Sequence, residues 1–359
     1  MTQRDLETES RKHFDAGLAL EEDEKYEPAV DEYSKSINVM PHAVAYFRRA
    51  ICRIELKQYD LVVDDLTQAL DGGYRTDGCY FMRGSAYIEL GKFAEAASDL
   101  TKALELDSSK TAYNLYRATC LLTLGRYEDA VKDYNAVIAE DPQARYFNAR
   151  GMAHMALSRW DDAIADFSTA LKLDQNSVSA YLNRASAYQH MSRLEPAVND
   201  LSQAMELDPR NERAFVARGN LNLHLGLVAN AILDYSEAIK INPGEAGYYQ
   251  NRGAARLLAA GYGNGAEPLD EAAAKPAMED FDVAIRLKPD YADAYAARAR
   301  LRNALKQYQP ALADSDAAIK LDPGNAIAFS QRALANRNLG HDKAADADLE
   351  QARKLGWKE

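Results

Sequence analysis

Cysteine is scarce: Cys52, Cys79 and Cys120 are the only three in 359 residues. An odd, scattered set supplies no disulfide framework, so these are expected as small buried side chains. No Asn-x-Ser/Thr acceptor occurs, and no apolar run approaches the length that spans a membrane. The opening residues, MTQRDLETES, are polar and charged and carry neither the apolar core of a signal peptide nor a lipidation motif. A cytoplasmic location without membrane insertion is expected. Basic residues are outnumbered 43 to 55, a net charge of −12. That balance argues against nucleic acid as a partner and favours basic ones. No nucleophile–base–orienter set, metal-ligand spacing or phosphate-binding loop appears, which points away from an enzyme and from any cofactor or metal. Nothing alternates as a strand would, so the expected class is all-α.

What fills the chain is a repeat. Small residues recur at a spacing close to 34: Gly17, Ala50, Gly84, Ala118, Gly151, Ala185, Gly219, Gly253, Ala299 and Ala333. Each is followed, usually twelve positions later, by another: Ala29, Val62, Ala96, Ala130, Ala163, Ala197, Ala231, Ala277, Ala311 and Ala345. Such a period marks a stacked array. Numbering within a repeat, apolar residues at 4, 8 and 11 form one helical stripe, and those at 17, 20, 24 and 27 form a second. Positions 4 and 24, 8 and 20, and 11 and 17 sum alike, as in two antiparallel helices meeting around a turn near position 14. Gly91, Gly125, Gly226 and Gly340 fall at that turn, and Pro28, Pro196, Pro276 and Pro310 share position 19, expected in the first turn of the second helix. Because each repeat buries its face against its neighbours, one domain of ten repeats over 10–359 is expected, preceded by a polar tail at 1–9.

The residues around these positions carry a family likeness. Position 4 is aromatic in Tyr46, Tyr80, Phe147, Tyr181, Phe215, Tyr249, Tyr295 and Phe329. Position 24 includes Tyr33, Leu66, Leu100, Tyr134, Phe167 and Phe281, position 27 is mostly Ala, and Pro41, Pro142, Pro209, Pro243, Pro289 and Pro323 share position 32. This pattern resembles the tetratricopeptide repeat. The resemblance implies a solenoid of helical hairpins, a right-handed superhelix with the first helices on its concave side, and a protein-interaction role.

Two departures could be mistaken for sites. Repeat eight carries twelve extra residues within about 260–276. Its Gly261, Gly263 and Gly265 superficially suggest a phosphate loop, but they follow a helix, and Glu267, Asp270 and Glu271 would repel an anion. A flexible insertion with a short extension of the second helix is expected, the alternative being a docking loop for a partner. Second, position 7 is Arg and position 23 is Asp in the same nine repeats, from Arg49 and Asp65 to Arg332 and Asp348. Matched occurrence points to a structural ion-pair ladder across each hairpin, worth little where exposed and more where bidentate and partly buried.

The resemblance places partner contacts at positions 2, 5, 9, 12 and 13 of the first helices. In the first half these include Phe14, Phe47, Ile51, Ile54, Phe81, Ile88, Leu115, Leu122, Met152 and Met155, edged by Glu22, Glu55 and Glu89. In the second half they turn polar, with His190, Asn220, His224 and Arg300. An apolar groove edged with carboxylates suits a peptide or protein with apolar anchors and basic flanks. The family's chaperone-binding members use Lys and Asn at positions 5 and 9 to clamp a carboxylate. Phe14/Leu18, Phe47/Ile51, Phe81/Ser85 and Leu115/Thr119 replace them here, so that partner class is not expected. The reading is a non-catalytic scaffold that holds a protein or peptide in its concave groove. Its rivals are a self-assembling homo-oligomer and an enzyme with an unrecognised site.

Overall fold

The computed structural model describes residues 2–262 and 269–357. Among them all regular structure is helical: twenty helices, from Gln3–Glu22 to Asp342–Lys354. The chain divides into two compact units, residues 1–175 and 176–359, each built from five hairpins. Within each unit the two helices of a hairpin pack on one another, and each hairpin packs on the next.

The hairpin turn has a local cause. Helix Asp77–Glu89 stops at Leu90, Gly91 swings to φ 70°, and the Lys92 N–H returns to the Tyr87 carbonyl at 2.8 Å. The Lys92 carbonyl then accepts from the Ala96 N–H, starting helix Phe93–Leu106. This is a left-handed helix stop leading straight into the next helix. Elsewhere the same position is held by Glu24, Lys57, Ser158, Ser192 and Lys306 at φ 55–58°, so the turn is imposed by packing even where no glycine eases it.

Inside the hairpin, the small residue at position 8 faces position 24 as well as position 20. A Cβ on Gly17 would meet the Tyr33 ring at 2.8 Å, one on Gly151 the Phe167 ring at 2.6 Å, and those on Gly219 and Gly253 the rings of Tyr235 and Phe281 at 2.8 Å. Where position 24 is Leu66 or Leu201, position 8 is Ala50 or Ala185. In these four hairpins ring and glycine form one unit of volume, which extends the symmetric pairing expected from the sequence. In others Ala118 faces the Tyr134 ring and Gly84 faces Leu100.

The arginine ladder does more than join two helices. All nine position-23 aspartates, Asp65 to Asp348, are buried. Each takes its arginine at 2.5–2.7 Å. In most repeats two nitrogens of the guanidinium grip the carboxylate while Nη1 donates backwards to position 25 of the preceding repeat. Arg49 reaches Ser34 (2.8 Å), Arg83 reaches Thr67 (3.0 Å), Arg150 reaches Asn135 (2.6 Å) and Arg332 reaches Asp316 (2.8 Å). One side chain thus closes its own hairpin and staples it to its predecessor. The first repeat has no such arginine, and His13 Nδ1 meets Glu32 at 2.7 Å instead.

Three readings need correction. Residues 3–9, expected as a polar tail, are the opening turns of helix Gln3–Glu22, which Thr2 and Asp5 cap reciprocally. Part of the insertion is the short extension of the second helix, and it packs in the core and not as a flexible loop: Asp270 caps helix Glu271–Leu287, and Leu269 and Ala274 are buried with Leu257, Phe281 and Leu301. Pro276 consequently lies inside that helix, because five residues precede it there, whereas Pro28, Pro196 and Pro310 are each third in theirs. Gly263, Gly265 and Glu267 lie outside the described residues.

Candidate functional site

The apolar positions singled out in the first half are half-buried, apart from Met152, which is exposed. Several are tied to rings. Phe14 lies against Tyr33 and His42, with centroids at 5.6 and 5.2 Å, and Phe47 against Tyr74 at 4.7 Å. Phe81 packs on Tyr113 at 4.8 Å and edge-on to Tyr116 at 5.2 Å. Phe47 and Ile54 pack beside the buried cluster around Leu66, and Phe81, Ile88, Leu115 and Leu122 beside the one around Leu100. These side chains give one side to the core and keep the other for the surface. Ile51 and Met155 are half-buried in the same row of helices.

Two clefts open between first helices of the first unit. One, of about 510 Å3, is lined by Ile88, Leu115, Tyr116, Thr119, Arg145 and Tyr146, and so draws on three consecutive repeats. The other, of about 330 Å3, is lined by Phe14 and Val44 with Ser10, Arg11, Met40 and His42. His42 accepts the Ala45 N–H through Nδ1 at 3.3 Å, capping helix Ala43–Glu55, and burial holds its imidazole below the usual histidine range. Glu22, Glu55 and Glu89 are exposed and make no ion pair among the described residues.

The sequence reading overlooked Tyr116, Arg145 and Tyr146. Arg145 lies 4.7 Å from the Tyr146 ring centroid and donates to Tyr146 Oη at 2.7 Å. Tyr116 stands at position 6, outside the positions that the resemblance marks, and becomes visible only because Phe81 holds its ring at the surface.

In the second unit the singled-out polar residues are dispersed. His190, Asn220 and His224 are exposed, Asn220 accepts from Tyr235 Oη at 2.6 Å, and Arg300 lies 5.8 Å from the Tyr262 ring centroid. A cleft of about 740 Å3 beside the insertion mixes Asp270, Glu271 and Asp282 with Lys275 and Arg302. Arg302 is already committed to Asp314 at 2.7 Å.

The cysteines are buried, and burial pushes the Cys52 thiol up to about 12 and those of Cys79 and Cys120 to about 11. They behave as small apolar side chains. Among the described residues no three His, Cys, Asp or Glu side chains converge as metal ligands, and no helix is long and apolar enough to cross a membrane.

A tetratricopeptide-repeat family model matches residues 81–145 and 190–246, and a second TPR-repeat model matches residues 151–192. No curated protein matches the chain. Among solved structures, a tetratricopeptide repeat protein from Parabacteroides merdae is 16% identical over 79% of this chain and 94% of its own, with a TM-score of 0.47. YrrB, described as a TPR protein with an unusual peptide-binding site, is 19% identical over 55% of this chain and 95% of its own, with a TM-score of 0.45. MamA is 19% identical over 50% of this chain and 92% of its own, with a TM-score of 0.42.

Proposed function

Because the chain belongs to the tetratricopeptide-repeat family, we propose that it is a non-catalytic scaffold whose first unit holds a peptide or protein partner. The observation that carries this reading is the cleft of about 510 Å3 among Ile88, Leu115, Tyr116 and Arg145. Ile88 and Leu115 are half-buried against the core, while the exposed Tyr116 rests edge-on to Phe81 and the exposed Arg145 rests on Tyr146. The surface is thus shaped before a partner arrives. Preorganised apolar concavities of this size recognise side chains, because little ordering entropy is lost on binding. Glu22, Glu55 and Glu89, exposed and outside any ion pair among the described residues, suit basic residues elsewhere on the partner.

The test is site-specific photo-crosslinking in the native cell. A photoreactive residue replacing Thr119, which lines the cleft, should yield an adduct with another protein. The same group replacing the exposed Lys132 of helix Tyr127–Glu140 should not. Adducts from Lys132 alone would move the binding face to the second helices. An adduct with a second copy of the chain would favour self-assembly.

A further inference from the structure

Arg145 is unlike the arginines of the ladder. Those are each held by a buried carboxylate, and most also reach the preceding repeat, whereas Arg145 makes no ion pair among the described residues. It is nevertheless held in place. Its guanidinium lies over the Tyr146 ring, and one Nη donates to the hydroxyl of that tyrosine. Tyr146 is itself buried against the core, so the platform is rigid. The remaining N–H groups of Arg145 stay available at the rim of a cleft whose lining contains Ile88, Leu115 and Tyr116 and no carboxylate. Arg193 lies over Tyr188 in the same way, but Arg145 also lines an apolar cleft, and that pairing of an oriented guanidinium with a cleft for a side chain is what marks it.

Resting on the groove reading above, we infer that this cleft takes a bulky apolar side chain from a peptide that also presents a carboxylate to Arg145. A single guanidinium matches the single charge of a carboxylate better than the near-double charge of a phosphoryl group. The arrangement differs from the family's chaperone clamp, since its cation stands at position 2 of repeat five while positions 5 and 9 of repeat four are Leu115 and Thr119. The ring beneath the guanidinium restricts its motion, and its bond to the Tyr146 hydroxyl fixes its orientation. Both raise the selectivity for an opposite charge.

The carboxylate could belong to an Asp or Glu side chain or to the end of a chain, and two libraries of short random peptides separate these sources. One is displayed with free C-termini and the other with blocked ones, and both are panned on the full-length protein. Enriched peptides are expected to pair a bulky apolar residue with a nearby carboxylate. Peptides from the free-terminus library alone would assign the group to a chain end. Arg145→Glu should weaken the enriched peptides by about tenfold or more, and exchanging their acid for Lys should restore affinity to that variant. Tyr116→Ser should weaken every peptide, with circular dichroism confirming that both variants stay folded. If enriched peptides need Tyr116 but carry no acid, or bind Arg145→Glu equally well, the carboxylate inference falls while the groove reading stands. Enriched peptides indifferent to Tyr116→Ser, or no enrichment from either library, would overturn both.

Discussion

At the scale of single residues, volume is exchanged between positions 8 and 24 of the hairpins that pair a glycine with a ring. A Cβ at Gly151 would lie 2.6 Å from the Phe167 ring. Gly151→Ala should therefore destabilise, because overpacking costs ~1–3 kcal/mol and outweighs the ~1 kcal/mol that alanine gains in a helix. Adding Phe167→Leu recreates the Ala50–Leu66 combination and should recover much of the loss in thermal unfolding. The ladder sets a second prediction. Asp166 is buried with Arg150 at 2.6 Å, so Arg150→Met leaves its carboxylate only His154 at 3.8 Å and should cost up to about 3 kcal/mol. Arg150→Met with Asp166→Leu should be the more stable of the two variants. The pairing itself was legible, since Arg and Asp recur together within one chain. Its burial and its reach to the previous repeat were not, because the acceptors at position 25 vary among Ser34, Thr67, Asn135 and Asp316 and no single residue type marks them.

At the scale of elements, helix periodicity was readable wherever small and aromatic residues keep their spacing, and it failed at the insertion. There the strong helix formers Glu271, Ala272, Ala273, Ala274 and Lys275 allow a short extension but carry no apolar stripe to show that it packs, and Pro276 suggested a start instead of an interior. Tertiary contact decides the matter: Leu269 and Ala274 are buried against Phe281 and Leu301. Deleting twelve residues between Gly261 and Lys275 should thus lower the stability of the second unit, as burying a Leu side chain contributes ~2 kcal/mol. A deletion variant that melts with the parent chain would show that these contacts add nothing. The candidate site was legible to a similar degree. Ile88 and Leu115 were found by position, and Arg145 stands at the equally marked position 2, while Tyr116 and Tyr146 needed the geometry that brings repeats four and five to one cleft.

At the scale of the molecule, the two compact units make stability divisible. In a stacked array each hairpin depends on its nearest neighbours, and three or more suffice for a shared core. Residues 1–175, with five hairpins and both first-unit clefts, should fold alone and bind any peptide that the Ile88–Arg145 cleft selects. Calorimetry and anisotropy on that fragment check the two claims separately. A fragment that folds yet loses binding would mean that the second unit is needed for recognition.

The staples between repeats differ in charge along the chain. Arg49, Arg83, Arg218 and Arg252 reach back to the hydroxyls of Ser34, Thr67, Ser202 and Ser236. Arg298 and Arg332 reach back to Asp282 and Asp316, carboxylates that are more than half exposed. Added salt screens exposed pairs of opposite charge far more than hydrogen bonds from a guanidinium to a neutral hydroxyl. Ionic strength therefore sets an order of fraying: in hydrogen exchange, amides flanking the seams at Asp282 and Asp316 should lose protection first as salt rises, while the hydroxyl seams hold.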